Sequence, residues 1–221
     1  MALTPLNSDV VVIGAGTSGL SAAKSLKDIG YSVIVIEAAN HIGGRCVTDN
    51  SIFDIPFDIG GSWLHSAVTN PLAEIAVQNN FKLHKKNWSH TWVHSNGVNL
   101  SSKQTKEYSQ YIEDMWQNIN KAGKNKKDQS IEKSLPEAKW RDIARNQIAP
   151  MMGADPDVCS AHDVFHFTNT EGDWLVENGL GAFIKYLYKD IEVITNCAAK
   201  KIDYSSNGVK VETPDGVITA T

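Results

Sequence analysis

No apolar run in these 221 residues approaches the length of a membrane span, and the N-terminus, Met-Ala-Leu-Thr-Pro-Leu-Asn-Ser-Asp, has no basic region leading into an apolar one. These absences argue against a membrane protein and a secretory leader, and make the cytoplasm the expected location. Cysteine is scarce: Cys46, Cys159 and Cys197 are odd in number and widely scattered, which suits reduced thiols and not a disulfide framework. Charge of one sign is equally lacking. A net charge of -4 offers no general case for nucleic acid or a lipid surface as partner. The four lysines between Lys121 and Lys127 are too local to change that, and are expected to lie in a solvated loop. Cys159, His162 and His166 have a spacing that could gather ligands, but no fourth ligand or supporting residue is evident nearby, so no metal site is expected. Asn87-Trp88-Ser89 and Asn99-Leu100-Ser101 match the glycosylation tripeptide by chance if the chain is not secreted.

What the sequence does have is concentrated between Asp9 and Glu37. Val10 to Ile13 form a short apolar run of the kind buried on both faces of a parallel sheet. Gly14-Ala15-Gly16-Thr17-Ser18-Gly19 follows as GxGxxG. The first glycine permits a sharp turn, the second lets backbone approach a pyrophosphate, and the third lets the following helix pack on the strand. Free amides at the start of that helix face the phosphates. Ser32 to Ile36 read as the next strand, and Glu37 stands where an acid accepts hydrogen bonds from ribose hydroxyls and disfavours a 2′-phosphate. The six-residue motif alone is weak; with strand, helix, strand and acid in order it predicts a dinucleotide site.

Gly43-Gly44-Arg45 comes next, close enough to the second strand to return to the same nucleotide, with exposed amides and a guanidinium able to hold phosphate. A nicotinamide domain has no general need of this segment, whereas FAD proteins commonly carry it. Asp58-Ile59-Gly60-Gly61-Ser62-Trp63-Leu64-His65 then resembles a segment of the FAD-dependent amine oxidases, nearest the polyamine oxidase and lysine demethylase branch. The resemblance implies that Gly60, Gly61, Ser62 and Trp63 pass beside the flavin ring and that His65 faces the substrate as an orienting, catalytic residue. The family's histidine is usually followed by glycine; Ser66 stands here. Glu171 to Phe183 resembles the segment where the chain returns from the substrate domain into a glycine-containing turn and a helix over 182–188. Ala199 stands where the family contacts adenine through backbone, and Ala38 follows the ribose acid.

The fold expected is α/β. A Rossmann-type FAD-binding domain of the glutathione-reductase-like class, residues 1–82 and 171–221, encloses an α+β substrate-domain segment, residues 83–170, and is incomplete at the C-terminus. Asn70-Pro71 predicts a helix start, with Leu72, Ile75 and Ala76 on one face and an end near Asn80. Leu83 to Val98, ending at Asn96-Gly97, reads as a hairpin. Residues 101–120 read as a helix with a Tyr108, Tyr111, Ile112, Met115, Trp116, Ile119 stripe, usually core and alternatively a substrate wall, and 143–152 as another. Short strands over 192–194, 200–204, 209–212 and 217–218, broken by Ser206-Asn207-Gly208 and Pro214-Asp215-Gly216, predict a meander.

Family members are about twice this length, so a C-terminal half with a second FAD segment and a lysine near the flavin is expected to be absent, leaving this portion with little activity alone. The activity implied by the resemblance is oxidation of a small-molecule amine to an imine by FAD, with molecular oxygen as acceptor and hydrogen peroxide released. Other FAD oxidoreductases, such as amino-acid or carotenoid and porphyrinogen types, share the first two motifs and stay open, as does an inactive flavin-binding fragment.

Overall fold

The computed structural model describes residues 6–85, 94–95, 97–167, 172–204 and 208–221. It divides into two compact units: Met1–Lys86 with Thr170–Thr221, and Asn87–Asn169.

The first unit begins with β1 (Leu6–Ser8), β2 (Val10–Ile13), α1 (Thr17–Asp28) and β3 (Val33–Ile36). Two-residue strands follow as β4 (Thr48–Asp49), β5 (Phe57–Asp58) and β6 (Trp63–Leu64), then α2 (Pro71–Gln78) and β7 (Leu83–Lys85). The second unit contributes β8 (His94–Ser95), β9 (Val98–Asn99), α3 (Ser102–Gly123), a short 3-10 turn (Ile131–Ser134), α4 (Arg141–Met152) and α5 (Ala161–His166). The chain re-enters the first unit with β10 (Trp174–Val176), α6 (Leu180–Leu187), β11 (Val193–Ile194), β12 (Lys201–Asp203), β13 (Val209–Thr213) and β14 (Gly216–Ala220).

β2 and β3 pair in parallel from Val10 opposite Val33 to Ile13 opposite Ile36, and β11 joins the far side of β3. α1 crosses between them, burying Leu20 and Ala23 against Val12 and Val35. The β-branched runs make the strands and the i, i+3 spacing of Leu20 and Ala23 supplies the helix face. One expectation fails here. Val10 to Ile13 are not buried on both faces: Val10, Val11 and Val12 are half-buried and Ile13 is 46% exposed. β2 is an edge strand of this sheet among the described residues, so full burial falls to Val35 and Ile36 on the central strand.

The meander forms as β12-β13-β14, joined by an unforeseen β1 lying parallel on β14. β1 is too short and polar to announce itself, and its place is fixed by Leu6 packing with Ile36, Cys197, Val211 and Ile218. Of the turn between β12 and β13, Ser206 and Asn207 lie outside the described residues.

The predicted hairpin over 83–98 needs correcting. Leu83–Lys85 pairs antiparallel with β10, whose other edge holds β6. Leu83 gains burial against the cluster containing Val176 and Phe183, which a free hairpin would not offer. The turn that does form joins β8 to β9 around Gly97 at φ +75°, while residues 86–93 and 96 lie outside the described residues. α2 is as expected, with Asn70 Oδ1 accepting from the Leu72 amide at 3.0 Å, and Ala73 joins Ala76 on its buried face.

In the second unit, Ser101 and Gln104 form a reciprocal capping box that starts α3. Tyr108, Tyr111, Met115 and Ile119 are buried with Ile131, Leu135, Trp140, Ala144 and Ile148, so the stripe is core. The helix outruns its expected end at Asn120, taking Lys121 out of the anticipated loop. At Gly123 a side chain would collide with Phe165 of α5, so glycine there permits the helices to meet. Gly153, left-handed at φ +69°, ends α4. Cys159, His162 and His166 do not gather: Cys159 Sγ faces the Ala154 carbonyl and His162 Nε2 donates to the Asn125 carbonyl at 2.6 Å. No helix among the described residues is long and apolar enough to cross a membrane.

Candidate functional site

The glycine turn between β2 and α1 is tightly specified. Gly14 is left-handed at φ +99°, its amide donating to the Ile36 carbonyl at 2.8 Å. A side chain on Gly19 would collide with the Gly14 carbonyl. Gly16 caps α1 with no side-chain hydrogen bond, and no acid lies in the first turn. The amides of the first turn of α1 have no carboxylate partner among the described residues. Thr17 Oγ1 is buried in this turn without a hydrogen-bond partner among the described residues. The Gly14 and Ala15 amides are spent on Ile36 and Glu37, so the cradle of donors that this turn offers is that of Gly16, Thr17, Ser18 and Gly19.

Glu37 closes the side of that cradle. Its Oε2 accepts from the Ala15 amide at 2.7 Å and its Oε1 from the Ala39 amide at 2.8 Å. The Ala39 amide, helped against burial by those of Ala15 and Ala38 and by nearby His41, holds its carboxyl below the usual glutamate range. The group is therefore ionised at neutral pH. Each oxygen keeps a further lone pair for an outside donor.

A ladder of backbone bonds ties the next segments to this edge. The Gly43 amide donates to the Ala15 carbonyl at 2.8 Å, and Gly43 lies parallel to Gly16 in an isolated bridge. Both glycines of the pair are left-handed, at φ +105° and +60°, and a Cβ on Gly44 would stand 3.1 Å from the Gly16 Cα. The Arg45 carbonyl accepts from the Gly61 amide at 2.8 Å, and Gly60 lies so close to that carbonyl that no side chain fits. On the other flank, the Glu37 amide donates to Ile194 and the Glu37 carbonyl accepts from Cys197, while Ala199 packs against the cluster that holds Ile36 and Cys197. The structure so joins the glycine turn, Glu37 and Ala38, Gly43 to Arg45, and Gly60 and Gly61. The Arg45 side chain is exposed and meets no acceptor among the described residues.

Ser62 and Trp63 continue from this ladder onto β6, where Trp63 is half-buried opposite Leu175. His65 follows with its side chain 71% exposed, its Nδ1 2.7 Å from Asp173 Oδ1. Ser66, where glycine is usual in the family resembled, adopts φ +53°. The chain keeps the left-handed backbone that glycine would favour and places a serine in it. Glu171 lies outside the described residues.

Asp58, given no role of its own within the family-like segment, and Thr48, which the sequence did not single out, fasten the returning segment. Asp58 Oδ2 accepts from the Leu180 amide at 2.8 Å and its Oδ1 from the Gly181 amide at 3.2 Å, while Thr48 Oγ1 accepts from the Ala182 amide at 2.8 Å. Thr48 also donates to Asp58 Oδ1 at 2.5 Å. This explains why α6 starts at Leu180 and not at Ala182: its cap comes from the β4 and β5 hairpin, distant in sequence. The available hint was negative, since Asn178-Gly179 offers no capping side chain of its own. Asp173 was likewise passed over.

The sequence profile of the flavin-containing amine oxidoreductase family matches residues 17–152. The chain is 27% identical over 235 residues to polyamine oxidase 4 of Oryza sativa subsp. japonica, covering 94% of this chain and 48% of that protein. It is 24% identical over 234 residues to lysine-specific histone demethylase 2 of Homo sapiens, covering 95% of this chain and 28% of that one. Its fold is similar to wild-type putrescine oxidase bound to putrescine, at a TM-score of 0.70 and 21% identity over 98% of this chain and 57% of the other. The chain therefore spans about half the length of the curated oxidase it matches.

Proposed function

The chain belongs to the flavin-containing amine oxidoreductase family, and from that premise we propose that it supplies the dinucleotide-holding part of an FAD-dependent amine oxidase. The observation that carries this reading is the ladder from Ala15 through Glu37, Gly43 and Arg45 to Gly61, which lines sequence-distant glycines along one edge beside an ionised carboxylate. FAD fits these residues. The buried, unpartnered Thr17 hydroxyl and the open amides of α1 suit a pyrophosphate. Glu37 keeps lone pairs for ribose hydroxyls and repels a 2′-phosphate.

In this reading Gly14 to Gly19 hold the pyrophosphate, with Gly43, Gly44 and Arg45 adding amides and a cation. Ala38 and Ala199 flank the adenine, and Gly60, Gly61, Ser62 and Trp63 run beside the ring. The second unit, Asn87–Asn169, which falls within the 83–170 segment expected for the substrate domain, contributes to that domain. Bound FAD supplies the hydride acceptor for the amine α-carbon, and with molecular oxygen as final acceptor the products are an imine, hydrolysed to an aldehyde with ammonia or an amine, and hydrogen peroxide. His65 orients the substrate nitrogen through a hydrogen bond. Because an amine donates hydride only as the neutral base, a ring nitrogen that accepts its proton assists the reaction.

Titration of FAD into the protein, followed by flavin fluorescence, tests the first half of the proposal. FAD is expected to bind, riboflavin to bind far more weakly, and Glu37→Ala to weaken FAD about tenfold or more, as loss of hydrogen bonds to a charged acceptor implies. Equal affinity for riboflavin and FAD would overturn the dinucleotide assignment. For the second half, anaerobic addition of an amine panel to the intact flavoprotein is expected to bleach the flavin absorbance and, on admitting air, to yield peroxide. A stable holoprotein that no amine bleaches removes the amine oxidase reading.

A further inference from the structure

His65 and Asp173 come together where the β6–β10 ladder ends. Leu64 pairs with Trp174, and the next residue on each strand is His65 on one side and Asp173 on the other. The backbone on both sides of the pair is held. Asn70 Nδ2 donates to the His65 carbonyl at 3.0 Å, and the Ala67 amide donates to the Gly172 carbonyl at 2.7 Å. The left-handed residues Ser66, at φ +53°, and Gly172, at φ +96°, turn the two strands away immediately beyond it.

Within this frame His65 Nδ1 lies 2.7 Å from Asp173 Oδ1. An ionised carboxylate can only accept, so Nδ1 carries a proton in this contact, and whenever the ring is neutral its lone pair stands at Nε2. Nε2 has no partner among the described residues, and the ring is largely exposed. The sheet therefore delivers one defined acceptor atom from a residue that otherwise has two interchangeable nitrogens.

We propose that Asp173 is a positioning residue that fixes His65 in the Nδ1–H tautomer, so that Nε2 is the atom receiving the substrate's ammonium group. The ammonium donates one N–H to Nε2. As that bond breaks and an Nε2–H bond forms, the positive charge passes from the substrate nitrogen to the imidazole, where the Asp173 carboxylate balances it. The nitrogen keeps the electron pair, which becomes available to expel hydride from the adjacent carbon. The tautomer half of this proposal stands on geometry alone; the ammonium half rests on the amine oxidase reading above.

The two halves are tested separately. Long-range proton–nitrogen correlation on the uniformly ¹⁵N-labelled chain reads the tautomer directly, and His65→Gln identifies the signal. The wild-type neutral ring is expected as Nδ1–H. Asp173→Asn lets an amide donate to Nδ1 and is expected to convert the ring to Nε2–H. Asp173→Ala, which removes the partner altogether, is expected to release the ring from Nδ1–H. The backbone amide spectrum, unchanged away from β6 and β10, shows that each variant is folded. A wild-type ring in the Nε2–H form, or tautomers unmoved in both folded variants, overturns the positioning role.

In the intact flavoprotein, Asp173→Asn is expected to lower kcat/KM for amines about 100-fold with flavin absorbance retained, the lower end of what a positioned proton acceptor contributes. Amine oxidation at the wild-type rate in this variant overturns the ammonium half. If the wild type itself oxidises no amine while the tautomer shifts as described, the amine oxidase reading falls and the positioning of His65 by Asp173 stands.

Discussion

The first unit contains two strand–glycine–helix turns that resemble each other locally and are finished in opposite ways. β2 leads through Gly14 and Gly16 into α1; β10 leads through Gly179 into α6. Each helix has a glycine at its N-cap and no capping side chain from its own turn. At α6 the free amides of Leu180, Gly181 and Ala182 are all taken, by Asp58 and Thr48 reaching across from the hairpin. At α1 the neighbouring carboxylate of Glu37 takes the Ala15 amide, ahead of the helix, and leaves the first-turn amides alone. The same physical demand, satisfying donors at a positive helix end, is met internally in one place and left open in the other. The closed end is structural; the open one is where the function proposed above places a phosphate.

Glycine-to-alanine changes at the two turns should have the largest effects. Gly19→Ala drives a side chain into the Gly14 carbonyl, and Gly181→Ala drives one into the Val47–Thr48 backbone. Rigid backbone on the receiving side leaves no cheap relaxation, so each is expected to destabilise the protein by roughly 3 kcal/mol or more, read as a lowered urea midpoint. Alanine tolerated at either glycine would show that its turn is looser than described. Next comes Asp58→Ala. It strips two backbone donors and the Thr48 hydroxyl of their acceptor, and should cost about 2 kcal/mol by the same measurement. A change below about 0.5 kcal/mol would erase the contrast between the closed and open ends.

Glu37 sharpens the contrast through pH. Its folded carboxyl is held below the ordinary glutamate value of 4.5, first by the Ala39 amide. A depressed value means that the folded state favours the ionised form, so this stabilisation is complete above 4.5 and lost as pH falls through the lowered folded value. Urea midpoints followed from neutral pH down into that range should decline less steeply in Glu37→Gln than in the wild type. An unchanged acid slope would mean that the Ala15 and Ala39 amides do not depend on the charge.

The open end was legible in the sequence because its chemistry is local: glycines at fixed spacing, an apolar strand on each side and an acid at the end of the second. The Gly43-Gly44-Arg45 and Gly60-Gly61 contacts could be assigned to the same site by their order, but their mutual hydrogen bonds depend on folding. The closed end was not legible, since Asp58 and Leu180 meet only after the whole second unit has intervened in sequence. The same reason hid Asp173 from His65 and placed Leu83 in a hairpin when its partner is β10. β1 escaped because three residues, one of them apolar, carry no periodicity, and the exposure of Ile13 escaped because an apolar run does not say whether its strand is central or at an edge. Side chains that act on near neighbours left a pattern; those that act across long intervals of chain left only missing caps.

The smallest expected effect separates the two ends most cleanly, because it compares the same substitution at two threonines. Thr48 Oγ1 donates to Asp58 and accepts from Ala182, so Thr48→Val, which keeps the shape and removes the hydroxyl, leaves a helix amide without its acceptor and should cost about 1 kcal/mol. Thr17 Oγ1 is buried and has no hydrogen-bond partner among the described residues, so Thr17→Val should change stability by less than about 0.5 kcal/mol, or raise it slightly by removing an unsatisfied polar group. What Thr17→Val should lose is ligand: if that hydroxyl meets a phosphate oxygen, FAD affinity falls about five- to tenfold, the worth of one hydrogen bond, while Thr48→Val binds FAD as the wild type does. Paired urea and FAD titrations on the two variants read both quantities. Equal stability losses, or FAD binding indifferent to Thr17, would show that the hydroxyl beside α1 is a packing accident and that the open helix end is not waiting for an anion.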